Sequence, residues 1–116
     1  MTRFWFLLAA LALLALLASC ATGVAEIDVA EVYFKLGNAY FDLKEFENAV
    51  NAYTQALKYD ETLVKAGYNL AHVYLETGRI TDARNILLGL LEDEPDNSIL
   101  LSTLGWAHYL EGNIEE

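Results

Sequence analysis

Leu36-Gly37-Asn38-Ala39-Tyr40, Leu70-Ala71-His72-Val73-Tyr74 and Leu104-Gly105-Trp106-Ala107-His108 superimpose when the chain is slid along itself by 34 residues. Ala49 and Ala83 keep the same offset. Around each stretch the apolar positions recur at helical spacing. Val32, Leu36, Tyr40 and Leu43 share one face, so a helix is expected from about Val29. A turn near Lys44-Glu45 follows, and Phe46, Ala49, Val50, Tyr53, Ala56 and Leu57 mark a return helix. Tyr59-Asp60-Glu61-Thr62 reads as the next junction, with Asp60 or Thr62 as the expected cap. Leu63, Ala66, Leu70, Val73 and Tyr74 then Ile80, Ala83, Ile86, Leu87, Leu90 and Leu91 repeat the pair across the turn Thr77-Gly78. Pro95 stops the second return helix, because the residue before a proline avoids helical dihedrals. A third unit opens at Ser98, the expected N-cap, and Gly112 is the expected turn glycine, 34 after Gly78. No run reads as a strand.

This pattern resembles the tetratricopeptide repeat, a helix–turn–helix unit of that period. The first unit carries the resemblance in Tyr33, Leu36-Gly37, Tyr40, Ala49, Tyr53 and Ala56. The second carries it in Leu70-Ala71, Tyr74, Gly78, Ala83, Leu87 and Pro95. It implies an all-α, right-handed solenoid of antiparallel helix pairs, with repeats at 29–61 and 62–97 and an incomplete third at 98–116. The residue types fit the packing. Gly37, Ala71 and Gly105 are small where paired helices press together, and Tyr53 and Leu87 fill the space between helices. No pair can bury its apolar face alone, so stacking makes the core.

Three departures stand out. Gly67 replaces the large residue that Tyr33 and Leu101 provide, at a helix-propensity cost of about 1 kcal/mol against Ala. Leu90 replaces the small Ala56, which predicts displaced helices. Glu61 replaces the proline that Pro95 provides, which predicts a more continuous first boundary. The last helix is apolar, with Leu100, Leu101, Leu104, Trp106 and Tyr109. Solenoids need a polar cap, so a longer parent protein is expected, or an oligomer or partner covering that face.

Upstream of the repeats, Phe4 to Ala18 is uninterrupted apolar sequence. It is shorter than the roughly 20 residues of a spanning helix and has the size of a secretory h-region. Leu17-Ala18-Ser19-Cys20 resembles a bacterial lipobox, with residues 1–19 as signal peptide and 20–28 as lipidated cysteine and short tether. The resemblance implies a diacylglyceryl thioether on Cys20, cleavage before it, and an envelope lipoprotein held to its membrane by the lipid. Ala21 in place of Asp resembles outer-membrane sorting in Gram-negative bacteria. A lone cysteine makes no intramolecular disulfide.

All 17 acidic residues follow the signal, against six basic ones, a side-chain balance of −11. A nucleic-acid binder needs a basic footprint, and this chain has the opposite. In the resembled family the first helix of each pair lines a concave surface. Here that surface would carry Phe34, Asn38, Phe41, Tyr68, Asn69, His72, Trp106 and Tyr109, with Lys35, Asp42, Lys65, Leu75, Glu76, Thr103 and Leu110 around them. Amides can bond an extended backbone and aromatics supply contact area. The alternative is that these aromatics pack against further C-terminal sequence.

Asn38 and Asn69 match two asparagines of the carboxylate clamp of chaperone-binding relatives. Phe34, Ile99 and Thr103 stand at its cationic positions, which excludes capture of an acidic C-terminus by that mode. His108 takes the place of Tyr40 and Tyr74 and reads as a core substitute, while His72 reads as a groove residue. No clustered ligand spacing supports a metal, and no nucleophile or phosphate-loop motif supports an enzyme. No cofactor is expected beyond the lipid on Cys20. The expected function is an envelope adaptor binding a peptide or helix of an envelope protein. The alternative is a ligand-binding accessory lipoprotein of a transport system, with a small apolar molecule in the groove.

Overall fold

A computed structural model describes residues 1–21 and 26–114, with side chains for residues 1–15 and 26–112. Six helices follow in order: α1 Thr2–Ala21, α2 Val29–Asp42, α3 Phe46–Tyr59, α4 Val64–Glu76, α5 Ile80–Asp93 and α6 Ser98–Ile114. No strand occurs among the described residues. Backbone places Leu17, Ala18, Ser19 and Cys20 in α1, but their side chains lie outside the described residues, as does the tether at 22–25. Among the described residues no helix is long and apolar enough to cross a membrane.

From α2 onward each helix packs against its neighbour in sequence, so α2/α3 and α4/α5 are hairpins and α3/α4 and α5/α6 are the stacking joints. Two apolar clusters hold this stack. Ala49, Tyr53, Leu70 and Val73 form the first; Ala71, Ala83, Leu87 and Leu100 form the second. Tyr53 and Leu87 hold the same register, and both are almost fully buried. Each presses into a small residue on the preceding helix. A Cβ added at Gly37 would stand 2.5 Å from two carbons of the Tyr53 ring.

The two hairpin turns are built alike. Lys44 N–H donates to the Phe41 carbonyl and Glu45 N–H to the Tyr40 carbonyl, both at 2.9 Å. Gly78 N–H donates to the Leu75 carbonyl at 3.2 Å and Arg79 N–H to the Tyr74 carbonyl at 2.8 Å. This is the Schellman arrangement, which needs a left-handed residue after the helix. Gly78 adopts it at φ 74° and Lys44 at φ 61°. Gly112 does not: α6 runs through it to Ile114, so the expected third turn is absent there. The other two turns are each followed by a return helix packed on the first, and α6 has no such helix among the described residues.

The helix starts also correct the sequence. Asn97, not Ser98, caps α6, its Oδ1 accepting from Ile99 N–H at 3.1 Å and Leu100 N–H at 3.2 Å. Asp60 and Thr62 do not cap α4. The Asp60 carboxylate instead accepts from the Thr62 N–H at 3.0 Å and hydroxyl at 2.6 Å, closing a local turn. That turn makes the first boundary as discrete as the second. Residues 60–63 separate α3 from α4, and residues 94–97 separate α5 from α6, so Glu61 does not extend the helix.

α4 and α5 pack less closely than α2 and α3, the displacement that Leu90 in place of Ala56 predicts. Gly67 and Leu90 face each other in that hairpin, with the Leu90 side chain lying where a Gly67 Cβ would be. The missing side chain on α4 gives the Leu90 tip its room.

Candidate functional site

The first helices α2 and α4 lie side by side, and three contacts tie them along their length. Lys65 Nζ pairs with Glu31 Oε2 at 2.6 Å while standing 4.6 Å above the Phe34 ring. Asn69 Nδ2 donates to Asn38 Oδ1 at 2.8 Å. The Phe41 and His72 rings meet edge-on with centroids 5.9 Å apart. The α2/α4 face is therefore ordered by ion pair, amide pair and ring pair in turn.

Its centre is a three-residue network. Tyr53, reaching across from α3, donates its hydroxyl to Asn38 Oδ1 at 2.7 Å. Asn69 Nδ2 also reaches Tyr53 Oη at 3.4 Å. Asn38 Oδ1 thus accepts twice, which fixes the orientation of its amide. Among the described residues the Asn38 amide hydrogens and Asn69 Oδ1 have no protein partner. One donor group and one acceptor are left in place, the pair that a peptide unit requires. Burial pushes the Tyr53 phenol above its ordinary pKa; the Asn69 hydrogen bond works against that, and the Asp42 charge adds to it.

Asn38, Phe41, Asp42 and Tyr53 line one side of a cleft of about 460 Å³, and Tyr68, Asn69 and His72 the other. A second cleft of about 440 Å³ continues from Tyr68 and His72 past Leu75 and Glu76 to Ser102, Thr103, Trp106 and Leu110 on α6. The shared Tyr68 and His72 make the two clefts one groove across three first helices.

Six of the eight expected groove residues line it: Asn38, Phe41, Tyr68, Asn69, His72 and Trp106. Phe34 and Tyr109 do not line either cleft. Phe34 packs on the first apolar cluster, its ring 6.1 Å from that of Tyr53. Tyr109 stacks on Trp106 at 5.1 Å and is exposed. Tyr53 joins the groove from the return helix, although its spacing reads as core alone. The signal lay in its hydroxyl, which a buried tyrosine must pair. His108 is not a core substitute: it is exposed, 3.8 Å from Glu111, because no return helix covers α6 among the described residues. Those residues hold no group of three His, Cys, Asp or Glu suited to a metal.

Stacked helix pairs with a groove along their first helices define a helical-repeat interaction scaffold. The tetratricopeptide repeat profile matches residues 40–107, and the chain belongs to the tetratricopeptide repeat family. Among solved structures, it is similar to the C-terminal TPR-containing domain of a Plasmodium falciparum FK506-binding protein, with a TM-score of 0.63 at 20% identity. The match covers 75% of this chain and 58% of that one. At that identity the likeness is one of fold. No curated protein matches the chain. Repeats of this family mediate protein–protein interaction and are in general non-catalytic, so a protein or peptide partner is the class of ligand the fold serves.

Proposed function

We propose that this protein is an envelope adaptor that holds an extended segment of a partner protein in the α2/α4/α6 groove, tethered to its membrane by lipid on Cys20. The Asn38–Tyr53–Asn69 network carries the groove reading. It is built from three helices and leaves a fixed donor and a fixed acceptor between aromatic walls. A fixed amide binds an extended backbone without first losing rotamer freedom, which favours affinity through preorganisation. Phe41, Tyr68 and Trp106 add the aromatic area on which interface energy concentrates. The lipobox residues Leu17, Ala18, Ser19 and Cys20 support the tether, and two or more acyl chains at Cys20 would anchor it stably.

The test is crosslinked capture from the native envelope, beside a Tyr68→Ala, Asn69→Ala variant shown by circular dichroism to stay folded. A partner captured by the native protein and lost in the variant supports the reading. Capture that survives the variant moves the interface away from the groove. For the tether, Cys20→Ser should abolish labelling by a clickable fatty acid; persistent labelling would remove the anchor.

A further inference from the structure

Asp42 and Glu76 are the same position of consecutive repeats, 34 residues apart. Each is the last residue of its helix, α2 and α4, and neither helix has a basic residue in its last turn. The carboxylate therefore adds to the negative end of the helix dipole. One lines each cleft, and they are the groups of fixed formal charge among the lining residues. Neither takes part in an ion pair or side-chain hydrogen bond among the described residues, whereas Lys65, Arg79 and Arg84 are all paired. The nearby Lys44 ammonium sits over the Phe41 and Phe46 rings, at 5.4 and 6.0 Å from their centroids.

We infer that the groove selects an extended segment carrying two cationic side chains, one for Asp42 and one for Glu76. This rests on the groove reading above and adds the chemistry of the partner. Charge complementarity points to it twice: locally through the two unpaired carboxylates, and globally through the chain's net charge of −10, which steers cations inward. The aromatic walls agree, since guanidinium groups are attracted to the faces of rings such as Tyr68 and Trp106. α2 and α4 are not a directly packed pair, so their carboxylates stand farther apart than the roughly 8–10 Å of packed helices, and the two cations would lie about three or more residues apart in an extended chain.

The test uses the full chain in nanodiscs and three sets of blocked heptapeptides of equal aromatic content. They carry two arginines, two glutamines or two glutamates at those spacings, and binding is read by fluorescence anisotropy. The arginine set should bind tightest and lose about tenfold in affinity to the double variant Asp42→Asn, Glu76→Gln, and also on raising salt. Both substitutions sit at exposed helix ends and keep the side-chain size, so folding is preserved. Equal binding of the arginine and glutamine sets, lost on Tyr68→Ala, would overturn the charge inference and leave the groove. Tighter binding of the glutamate set would overturn it also. If no set binds, the extended-segment reading falls, and this inference with it.

Discussion

The side chain of Leu90 occupies the space that a side chain on Gly67 would need: a Cβ built on Gly67 stands 2.8 Å from Leu90 Cδ2 and 2.9 Å from Cδ1. One repeat earlier, the same two positions are Tyr33 and Ala56. Large and small have changed places across the hairpin. Gly67→Ala would gain about 1 kcal/mol of helix propensity, yet it must displace the Cδ atoms of Leu90, the far end of a half-buried side chain, and that shift offsets much of the gain. The expected outcome is little net change in the native background. On a Leu90→Ala background the same change should stabilise by about 1 kcal/mol. Urea melts of the four proteins give the cycle; strict additivity would show that Leu90 moves aside freely.

That pair also shows where the sequence was legible. The helices, their order and their register followed from a period that compares one repeat with the next. Gly67 and Leu90 each looked like a defect under that comparison, because their compensation runs across a hairpin and not along the repeat. Asn97 is hidden as a cap for a similar reason: Ser98 has the right chemistry, but the helix already begins there, so the cap falls one residue earlier. In the groove, Asn38, Asn69 and Tyr68 were readable from their helix face. Tyr53 was not, since its ring belongs to the core and only its hydroxyl reaches the cleft. The lost turn at Gly112 has the same logic, because a glycine adopts a left-handed cap only when the chain turns there.

The two turns permit a clean exchange. Lys44 holds a left-handed conformation at φ 61° where Gly78 holds φ 74°. A residue with a Cβ is penalised by about 1–2 kcal/mol there, offset in part by the Lys44 ammonium over the Phe41 and Phe46 rings. Lys44→Gly should therefore raise stability by roughly 0.5–1 kcal/mol, and Gly78→Lys should lower it by about 1 kcal/mol. Thermal melts decide this. A Lys44→Gly protein less stable than the native one would mean that the ring contacts outweigh the backbone strain.

Tyr53 predicts an alkaline limit to stability. Burial raises its phenol pKa above the ordinary value, so the folded state favours the protonated form. A raised folded-state pKa gives stability that is complete below the unfolded value of about 10 and is lost as pH rises through the folded value. Absorbance titration near the phenolate band should show one of the seven tyrosines ionising last and together with unfolding. Tyr53→Phe should cost about 1 kcal/mol at neutral pH, the worth of its hydrogen bond to Asn38. The variant should also lose less stability than the native protein between neutral and alkaline pH. An unchanged pH profile would mean that other groups set the limit.

Gly37 and Gly105 hold one register, 68 residues apart, and should respond oppositely to the same substitution. At Gly37 an alanine methyl would meet the Tyr53 ring at 2.5 Å, and that ring is buried and hydrogen-bonded to the adjacent Asn38. It cannot turn away without breaking the network, so Gly37→Ala should destabilise by about 1–3 kcal/mol. At Gly105 a methyl meets nothing within 4 Å. Gly105→Ala should then stabilise α6 by about 1 kcal/mol through helix propensity alone. The contrast turns on the helix that carries the facing large side chain, present for Gly37 and absent for Gly105 among the described residues. Chemical denaturation of both variants measures it, and hydrogen exchange along α6 assigns the gain to that helix. A destabilising Gly105→Ala would reveal that a packed surface covers α6 in solution, with Gly105 as its point of close approach.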